Sequence, residues 1–291
     1  MHRVLEEVDR QLDQTLELAH LARVASFSPF HFHRLFTAWM GETLGEYVRR
    51  RRLELGAQRL ITQPRLTVLQ VALSVGFGSG EAFGRAFKTR FGATPTAWRQ
   101  TELSKRDQLN SKRDQDAPAA RANHGVMKSA REASMKVRVV DRQPTNVAYM
   151  RHIGPYGEEL LEFWTKKVAP WMATNDLFGH TRYGIIHDDP TITTSEKLRY
   201  DAAIEVPPEY TGAGNYQKSV LLGGRYAVFK FQGTNVEIGE AWTSMLRDWL
   251  PDSGMQLDSR PFIEHYPIEA AAYDPATGVF GCEICIPVAP L

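Results

Sequence analysis

Two short helical segments carry residues that are suited to reading DNA. Phe30, His33 and Arg34 stand three and four positions apart, so they share one face of a helix. An arginine can donate two hydrogen bonds to guanine in the major groove, and an exposed aromatic ring can lie on the methyl group of thymine. Glu81 and Arg85 hold the matching positions of a second segment. These residue types predict contact with base edges, and a solvated basic face is the alternative.

A second set of residues, in the other half of the chain, is a candidate for contact with a ligand. Glu264 lies inside the short apolar stretch PFIEHYP, where an ionised carboxylate is costly unless it has a partner. Aromatic rings elsewhere in the same half of the chain can stack on a ligand, and the face of such a ring attracts a positive charge. The candidate rings are those of Tyr149, Trp164, Tyr183, Trp242 and Phe262. A place in the hydrophobic core is the alternative for each ring, and a wet strand face is the alternative for Glu264.

Other reactive residues lack the spacing that chemistry needs. Cys282 and Cys285 form a CxxC sequence, but on a strand their thiols point to opposite faces, and no second ligand pair is near them in the sequence. His31 and His33 are two positions apart on a helix and point in different directions. The sequence holds no glycine-rich phosphate loop and no Ser/His/Asp arrangement in a recognisable context. We therefore expect no metal site, no cofactor and no catalytic residue.

The composition indicates a soluble protein of two domains. The 291 residues are 43% hydrophobic, which is enough for a packed core, and no run of about 18 apolar residues predicts a membrane span. The first residues carry charges where a signal peptide needs an apolar stretch, and two cysteines are too few for a disulfide framework. We therefore expect a cytoplasmic protein with no membrane partner.

The near-neutral net charge conceals two halves of opposite charge. The whole chain holds 35 basic and 34 acidic residues, a net charge of +1. Residues 1–135 hold 21 basic and 14 acidic residues, a net of +7, whereas residues 136–291 hold 14 and 20, a net of −6. Such asymmetry points to polyanion contact in the first half. The polar stretch 102–134 has no apolar periodicity and is expected to be a flexible linker.

The first half contains one helical unit twice, at an offset of 51 residues. Identical residues recur in the pairs Val24/Val75, Ser28/Ser79, Phe32/Phe83, Arg34/Arg85, Phe36/Phe87, Gly41/Gly92 and Thr43/Thr94. Each copy predicts a short helix, a break of four or five residues and a second helix. The predicted helices are 16–23 and 29–40 in the first copy, 68–75 and 80–91 in the second, and a linking helix over 44–62. Two helices joined by a short turn, twice, form the helix-turn-helix pattern.

Capping signals mark the ends of these helices. Ser28 is an N-cap before a proline, and Thr67 with Gln70 can form a capping box. Gly41 and Gly92 supply a left-handed residue after the second helix of each copy. Four apolar residues of the first copy have helical spacing and are expected in the core: Phe32, Leu35, Phe36 and Trp39.

Two segments of this half share the pattern of a known family, SFSPFHFHRLFTAWMGETLGEYVRRRRLELGAQRLI and VALSVGFGSGEAFGRAFKTRFGATPTAWR. They resemble the DNA-binding domain of the AraC/XylS family of bacterial transcription regulators, over roughly residues 5–101. The resemblance implies an all-α domain, 1–101, with two helix-turn-helix units on a linking helix. It also implies double-stranded DNA and RNA polymerase as partners, and association with the nucleoid when DNA is bound.

The same resemblance assigns the contacts of each unit. Base contacts are implied for Phe30, His33 and Arg34 in the first unit and for Glu81 and Arg85 in the second. Relatives often carry polar side chains where this chain has Gly80, Ala82 and Gly84. The second helix is therefore expected to read few bases and to hold phosphate, which positions a protein without specifying sequence. The residues expected to hold phosphate are Arg85, Lys88 and Arg90.

The second half also repeats itself, at an offset of about 80 residues. The alternating strands VAYMRHIG and YAVFKFQG end at Gly154 and Gly233, and each leads into an amphipathic helix and two further strands. We expect an α+β domain over 135–291 that is made of duplicated β-α-β-β units, with helices on one side of its sheets and a ligand groove between the copies. Strand alternation predicts that Glu205 and Glu283 face solvent.

This half carries the segments MKVRVVDRQPTNVAYMRHIGPY and YGIIHDDPTITTSEKLRYDAAIEV, which resemble the GyrI-like small-molecule-binding domain. The resemblance implies that a carboxylate at the strand of Glu264 faces a ligand cavity and meets cationic, aromatic compounds. Together the two resemblances imply a sequence-specific DNA-binding transcription regulator that responds to a small-molecule effector. The alternative is a hydrolase or sequestering protein for reactive toxic compounds that uses Glu264 with a neighbouring tyrosine.

Overall fold

The structure is a computed structural model, and it describes residues 1–104, 136–250, 253–258, 260–270 and 273–291. The chain divides into two compact units, one N-terminal and one C-terminal. Most of the expected linker, 102–134, lies outside the described residues. Its first three residues, 102–104, are helical. No described helix has the length and apolar character needed to cross a membrane.

The N-terminal unit is helical throughout its described length. Its helices are α1 (His2–Arg10), α2 (Leu18–Val24), α3 (Pro29–Met40), α4 (Leu44–Thr62), α5 (Val68–Ser74), α6 (Gly80–Phe91) and α7 (residues 95–104). Ser28 caps α3, and Thr67 with Gln70 forms the predicted capping box of α5. Gly41 and Gly92 end α3 and α6 in the left-handed conformation. The two helix-turn-helix units are therefore α2–α3 and α5–α6, joined by α4.

Both units pack the rings of their second helix against the linking helix α4. Phe32 and Phe36 of α3 are fully buried, and the Phe36 ring meets the Tyr47 ring edge-on with 5.6 Å between centroids. In the second unit, a Cβ atom at Gly56 of α4 would lie 2.8 Å from the Phe83 ring. The close approach of α6 to α4 therefore requires glycine at this position.

The buried face of α3 is narrower than the sequence predicts. Helical spacing places Leu35 and Trp39 in the core, but 43% of Leu35 and 38% of Trp39 is exposed. Leu35 lies about 100° around the helix from Phe36, on the flank of the stripe that meets α4. Trp39 stands in the last turn of the helix, just before the Gly41 cap. The prediction is wrong for these two residues because α4 covers only the stripe that Phe32 and Phe36 form.

Three arginines surround one buried carboxylate on α4. Glu54 is 3% exposed and accepts hydrogen bonds from Arg50 and Arg51, each at 3.1 Å. The Arg90 guanidinium of α6 lies 3.6 Å from the same carboxylate. Three guanidinium groups thus supply the charged partners that a buried carboxylate needs. Part of the positive charge of this unit is therefore used internally, between α4 and α6.

The C-terminal unit is a curled antiparallel sheet with helices on one face. Its strands are β1 (Arg138–Arg142), β2 (Thr145–Ile153), β3 (Arg182–Ile186), β4 (Arg199–Glu205), β5 (Gln217–Leu221), β6 (Gly224–Gly233), β7 (Met255–Leu257), β8 (Phe262–Tyr266) and β9 (Phe280–Pro290). Helix α8 follows β2 and consists of Glu158–Phe163, a π-helical segment Trp164–Val168 and Ala169–Thr174. Helix α9 follows β6 and consists of Asn235–Ser244 and a π-helical segment Met245–Trp249.

The strand order is consistent with the predicted duplication. The order is β1-β6-β9-β8-β3-β4-β2-β5, with β7 beside β9. Read outward from the central β3–β8 pair, β4 and β2 of the first half match β9 and β6 of the second. One face of this sheet packs against α8 and α9, and we call it the helix face. The opposite face carries its own buried cluster, to which both halves contribute.

Candidate functional site

The exposed face of α3 carries the three residues that are predicted to contact bases. Phe30, His33 and Arg34 are all exposed, and Phe30 is 68% exposed. The Arg34 guanidinium lies 5.8 Å from the centroid of the Phe30 ring, within reach of a cation–π attraction. The buried rings on the other side of α3 fix the helix against α4. An aromatic ring and a guanidinium thus stand side by side near the start of the second helix of the motif, the part that lies near base edges when such a helix enters the major groove.

The matching face of α6 offers fewer side chains. Glu81, Arg85 and Lys88 are exposed, and a Cβ atom at Gly84 would meet no atom within 4 Å. Hydrogen bonds from its own backbone and from Ser79 lower the pKa of the Glu81 carboxyl. An ionised carboxylate at the start of α6 disfavours a phosphate group at that end of the helix. The positive charge of this face comes from Arg85 and Lys88, which are both exposed.

Arg90 does not lie with the other residues that are predicted to hold phosphate. It stands nine positions after Glu81, which places it about 180° around the helix. Its guanidinium points to Glu54 of α4 and also lies 5.6 Å from the centroid of the Phe91 ring. The side chain therefore joins α6 to α4, on the side of α6 away from Arg85 and Lys88.

In the C-terminal unit, two tyrosine hydroxyls hold the Glu264 carboxylate on the helix face. Glu264 is 8% exposed, and its Oε2 atom accepts hydrogen bonds from Tyr200 at 2.8 Å and from Tyr266 at 3.0 Å. The Trp164 indole donates in turn to the Tyr200 hydroxyl at 3.3 Å. Residues from both halves of the sheet therefore meet at this carboxylate.

A glycine makes room for this cluster. Gly184 of β3 pairs with Glu264 of β8 in the sheet register. A Cβ atom at Gly184 would lie 1.9 Å from the Tyr200 hydroxyl oxygen and 2.6 Å from a Glu264 carboxylate oxygen. Any larger residue would push the tyrosine off the carboxylate.

Aromatic rings from α8 and α9 stand around the same carboxylate. Trp164 of α8 meets the Tyr266 ring edge-on, with 6.3 Å between centroids. Trp242 of α9 stacks on Phe262, with 5.5 Å between centroids and 10° between planes. The Trp242 indole N–H lowers the pKa of Glu264, yet within the described residues its geometry falls short of a hydrogen bond. One tryptophan from each half thus lies beside Glu264, half-buried.

The electrostatic state of this site follows from burial. Burial raises the pKa of Glu264 above its usual value, although the hydroxyl and indole donors act to lower it. Burial also raises the pKa of Tyr200 and of Tyr266 well above the usual value, so both hydroxyls stay protonated and donate. Among the described residues, none of the groups that act on the Glu264 pKa is a cation. The Arg182 guanidinium lies 5.7 Å from the centroid of the Tyr266 ring but is not among the groups that act on the Glu264 pKa. Within the described residues the carboxylate therefore has hydroxyl partners and no ion pair of its own.

Four of the six predicted ligand residues come together, and two do not. Glu264, Trp164, Trp242 and Phe262 share the helix face. Tyr149 and Tyr183 are buried in the cluster of the opposite face. Strand alternation explains the separation, since Tyr183 pairs with His265, the residue after Glu264. The grouping of all six residues around one ligand is therefore wrong.

Strand alternation also needs a correction at Glu283. Glu205 is exposed, as predicted, and accepts a hydrogen bond from the Tyr183 hydroxyl at 3.2 Å. Glu283 was placed in solvent by the same argument, but its side chain is only 12% exposed. The curled sheet brings Arg142 to within 2.8 Å of it, and His265 also lies at 2.8 Å. The prediction is wrong because alternation assigns a face and does not show what covers that face.

The sequence interpretation did not name Tyr200, Tyr266 or Gly184, although its hydrolase alternative included an unnamed tyrosine beside Glu264. Tyr266 was detectable, because a residue two positions after Glu264 on a strand lies on the same face. Tyr200 and Gly184 reach Glu264 only through the pairing of β4 with β3 and of β3 with β8. Within the described residues, no three His, Cys, Asp or Glu side chains gather as metal ligands.

Comparison with known proteins assigns a family to each half. Residues 135–289 match the family described as GyrI-like small molecule binding domain, and residues 21–101 match a Helix-turn-helix domain. The Transcriptional regulator Rob of Salmonella typhimurium is 24% identical over 296 residues, which cover 97% of this chain and 95% of Rob. A DNA gyrase inhibitor of Erwinia billingiae is 26% identical, over 53% of this chain and 97% of that protein. The Regulatory protein SoxS of Salmonella typhimurium is 34% identical, over 33% of this chain and 89% of SoxS.

Glu264 and Glu283 of the C-terminal unit predict opposite pH effects on stability. The folded-state pKa of Glu264 is raised, so the folded state loses stability as the pH rises from about 4.5 through that pKa. Relative to Glu264→Gln, the wild type should therefore become less stable towards neutral pH. Urea unfolding between pH 3 and pH 8, followed by tryptophan fluorescence, measures the difference.

Glu283→Gln is the matched control. A hydrogen bond from His265, with help from Arg138 and Arg142, lowers the pKa of Glu283 to about 2. Its contribution is present above about 4.5 and is lost as the pH falls towards 2, so this variant should be about 1–2 kcal/mol less stable than the wild type at pH 7, a figure discounted for solvent screening. A stability difference for Glu264→Gln that did not change with pH would contradict the proposed electrostatics.

Proposed function

This chain belongs to the AraC-type regulators that carry a GyrI-like small molecule binding domain, and from that premise we propose how its two units work. The N-terminal unit binds specific DNA sequences, and a small molecule bound in the C-terminal unit modulates that activity. The observation that carries the proposal is the Glu264 site, a buried carboxylate with aromatic walls that pairs with no cation among the described residues, in a chain that also has a helix-turn-helix unit with an exposed recognition face.

DNA recognition is assigned mainly to the first helix-turn-helix unit. The face formed by Phe30, His33 and Arg34 offers a ring for a thymine methyl group and a guanidinium for guanine. An exposed phenylalanine costs free energy in water, and contact with a base edge would remove that cost. α3 thus supplies most of the sequence specificity.

The second unit contributes chiefly to affinity. Gly84 leaves the α6 backbone open, so a nucleic acid backbone can approach closely. Arg85 and Lys88 supply cations to phosphate oxygens, and such contacts set the register on DNA without reading bases. Arg90 has no place in this contact, because Glu54 holds its guanidinium on the other side of α6.

The effector is proposed to be a cation with an aromatic group. A cationic ligand would supply the countercharge that Glu264 lacks, and the favourable charge–charge term would offset the desolvation of the carboxylate. The flanking rings of Trp164 and Trp242 would add cation–π attraction and apolar contact. Neutral ligands gain only the second of these contributions.

RNA polymerase is the proposed protein partner, and the proposed location is the cytoplasm, with the nucleoid when DNA is bound. The regulators among the relatives support an absence of enzymatic activity in this chain. Hydrolysis is the second candidate function, because the raised pKa of Glu264 beside two tyrosine hydroxyls also suits general acid–base chemistry. Incubation of the full chain with reactive electrophiles distinguishes the two functions, since turnover supports the hydrolase and saturable binding without product supports the regulator.

We expect Phe30→Ala and Arg34→Ala each to weaken binding to a selected operator by about 1–3 kcal/mol. The wild-type protein first selects the operator from a pool of random duplexes, and gel-shift titration then measures the affinity of each variant. Phe178→Ala, which removes an exposed phenylalanine of the C-terminal unit, is the matched control and should leave affinity unchanged. Unchanged affinity in both α3 variants would refute the assignment of this helix.

We expect Glu264→Gln to weaken the binding of an aromatic cation by about 1.5–3 kcal/mol, because it removes the charge but keeps a hydrogen-bond acceptor. Calorimetric titration with benzamidine measures the loss, and neutral benzamide, with the same ring, should change much less. Glu205→Gln removes an exposed carboxylate from the same unit and serves as the control. Equal losses for benzamidine and benzamide would give Glu264 a structural role only.

A further inference from the structure

A small cavity lies on the opposite face of the sheet from Glu264, where the two edges of the curled sheet meet. Its volume is about 140 Å³. Arg142 lines it from the end of β1, Thr145 from the start of β2, and Leu221 and Leu222 from the end of β5. The ends of β1 and β5 are in close contact, since a Cβ atom at Gly223 would lie 2.6 Å from the Arg142 carbonyl oxygen. The cavity is therefore formed by both halves of the domain.

The walls of the cavity are aromatic and apolar. Tyr183 and Tyr226 line it, with Ile263 between their strands. The Tyr183 ring is stacked on His265, with 5.2 Å between centroids, and the Arg260 guanidinium lies 4.4 Å from the centroid of the Tyr226 ring. These contacts fix both rings in place. A cavity of about 150 Å³ holds a benzene-sized group, so one aromatic ring fits this space.

The polar end of the cavity carries an excess of positive charge. Arg142 Nη2 donates to Glu283 at 2.8 Å, and Arg138 is paired with the same carboxylate. Two guanidinium groups thus share one carboxylate, which leaves a net charge of about +1 at this point. The Tyr183 hydroxyl donates to Glu205 at 3.2 Å, and that carboxylate is exposed to solvent.

One donor of Arg142 is left over. Its Nε atom is shielded from solvent, and within the described residues it meets no hydrogen-bond acceptor. A ligand in the cavity cannot reach this shielded atom, but 21% of the Arg142 side chain is exposed, so other donors of the guanidinium are open to a ligand oxygen. An anionic oxygen is the acceptor that a guanidinium binds most strongly.

We propose that this cavity is a second ligand site, which takes a small aromatic anion with its ring between Tyr183 and Tyr226 and an anionic oxygen on the accessible part of the Arg142 guanidinium. The site is independent of the Glu264 site in face, in charge and in the ligand that it prefers. The same domain thus has a site for an aromatic cation on its helix face and a site for an aromatic anion on the opposite face.

Three probes of nearly equal shape test the proposal on the full chain. Benzoate, benzamide and benzamidine differ chiefly in charge, and their affinities are measured by calorimetric titration. Benzoate should bind more tightly than benzamide, and Glu264→Gln should leave its affinity unchanged. Benzamide binding as tight as benzoate binding would show that the charge has no role, and loss of benzoate binding in Glu264→Gln would move the ligand to the other site.

Two arginine variants separate the cavity from its surroundings. Arg142→Gln should weaken benzoate binding about tenfold or more, because it removes the charge-assisted hydrogen bond. Arg138→Gln is the matched control: it takes one guanidinium from Glu283 but lies outside the cavity lining, and it should change the affinity less than about threefold. Equal losses in the two variants would show general charge attraction and overturn the proposal.

A further test uses the wild-type protein alone, so its result does not depend on whether a variant folds. Intermolecular nuclear Overhauser effects should connect benzoate ring protons to the rings of Tyr183 and Tyr226. Their absence at saturating benzoate, or an absence of benzoate binding at millimolar concentration, would overturn the proposal.

Discussion

Two buried glutamates define this molecule, and they differ in how their charge is stabilised. Glu54 of the N-terminal unit lies among three guanidinium groups, so its ionised form is compensated within the fold. Glu264 of the C-terminal unit has two tyrosine hydroxyls instead, and hydroxyl donors do not cancel a charge. Glu54 therefore stabilises the fold, whereas the negative charge of Glu264 can be neutralised by a cationic ligand.

The fold around Glu264 holds this carboxylate in its buried, hydroxyl-bonded position. Gly184 provides the space in which Tyr200 reaches the carboxylate, and one tryptophan from each half stands beside it. The central β3–β8 pair brings the two halves together at this point. A duplicated sheet thus places an acidic group at its own seam, where both helices can contact a bound molecule. His265, the residue after Glu264, lies on the opposite face of this strand pair, and there the curled sheet brings Arg142 of β1 to within 3.1 Å of it.

Local signals in the sequence predicted the helices well. Ser28, Gly41 and Gly92 act within a few residues of their own positions, so the bounds of α3 and α6 agree with the prediction. The exposed face of α3 followed from helical spacing in the same way. Exposure at the ends and flanks of helices was harder, because the surface of Trp39 depends on how far α4 extends beneath it.

Contacts between distant residues were beyond the sequence. Tyr200 and Glu264 are 64 positions apart and meet only through strand register. Arg90 was assigned to phosphate because it is basic, but the carboxylate of Glu54 on another helix holds it. In both cases the sequence showed which type of residue was present but not which residue it contacts. The four ligand residues that share the helix face were recognisable by type, whereas the face of Tyr149 and Tyr183 required the register.

The central claim is that occupancy at Glu264 changes DNA binding, and a linkage measurement tests it most directly. The operator affinity of the full chain is measured with and without a saturating concentration of the aromatic cation that binds the wild type most tightly, for the wild type and for Glu264→Gln. Coupling between the two sites predicts a change in operator affinity of about fivefold or more in the wild type and none in the variant. An unchanged operator affinity in the wild type, with cation binding demonstrated in the same sample, would contradict the claim.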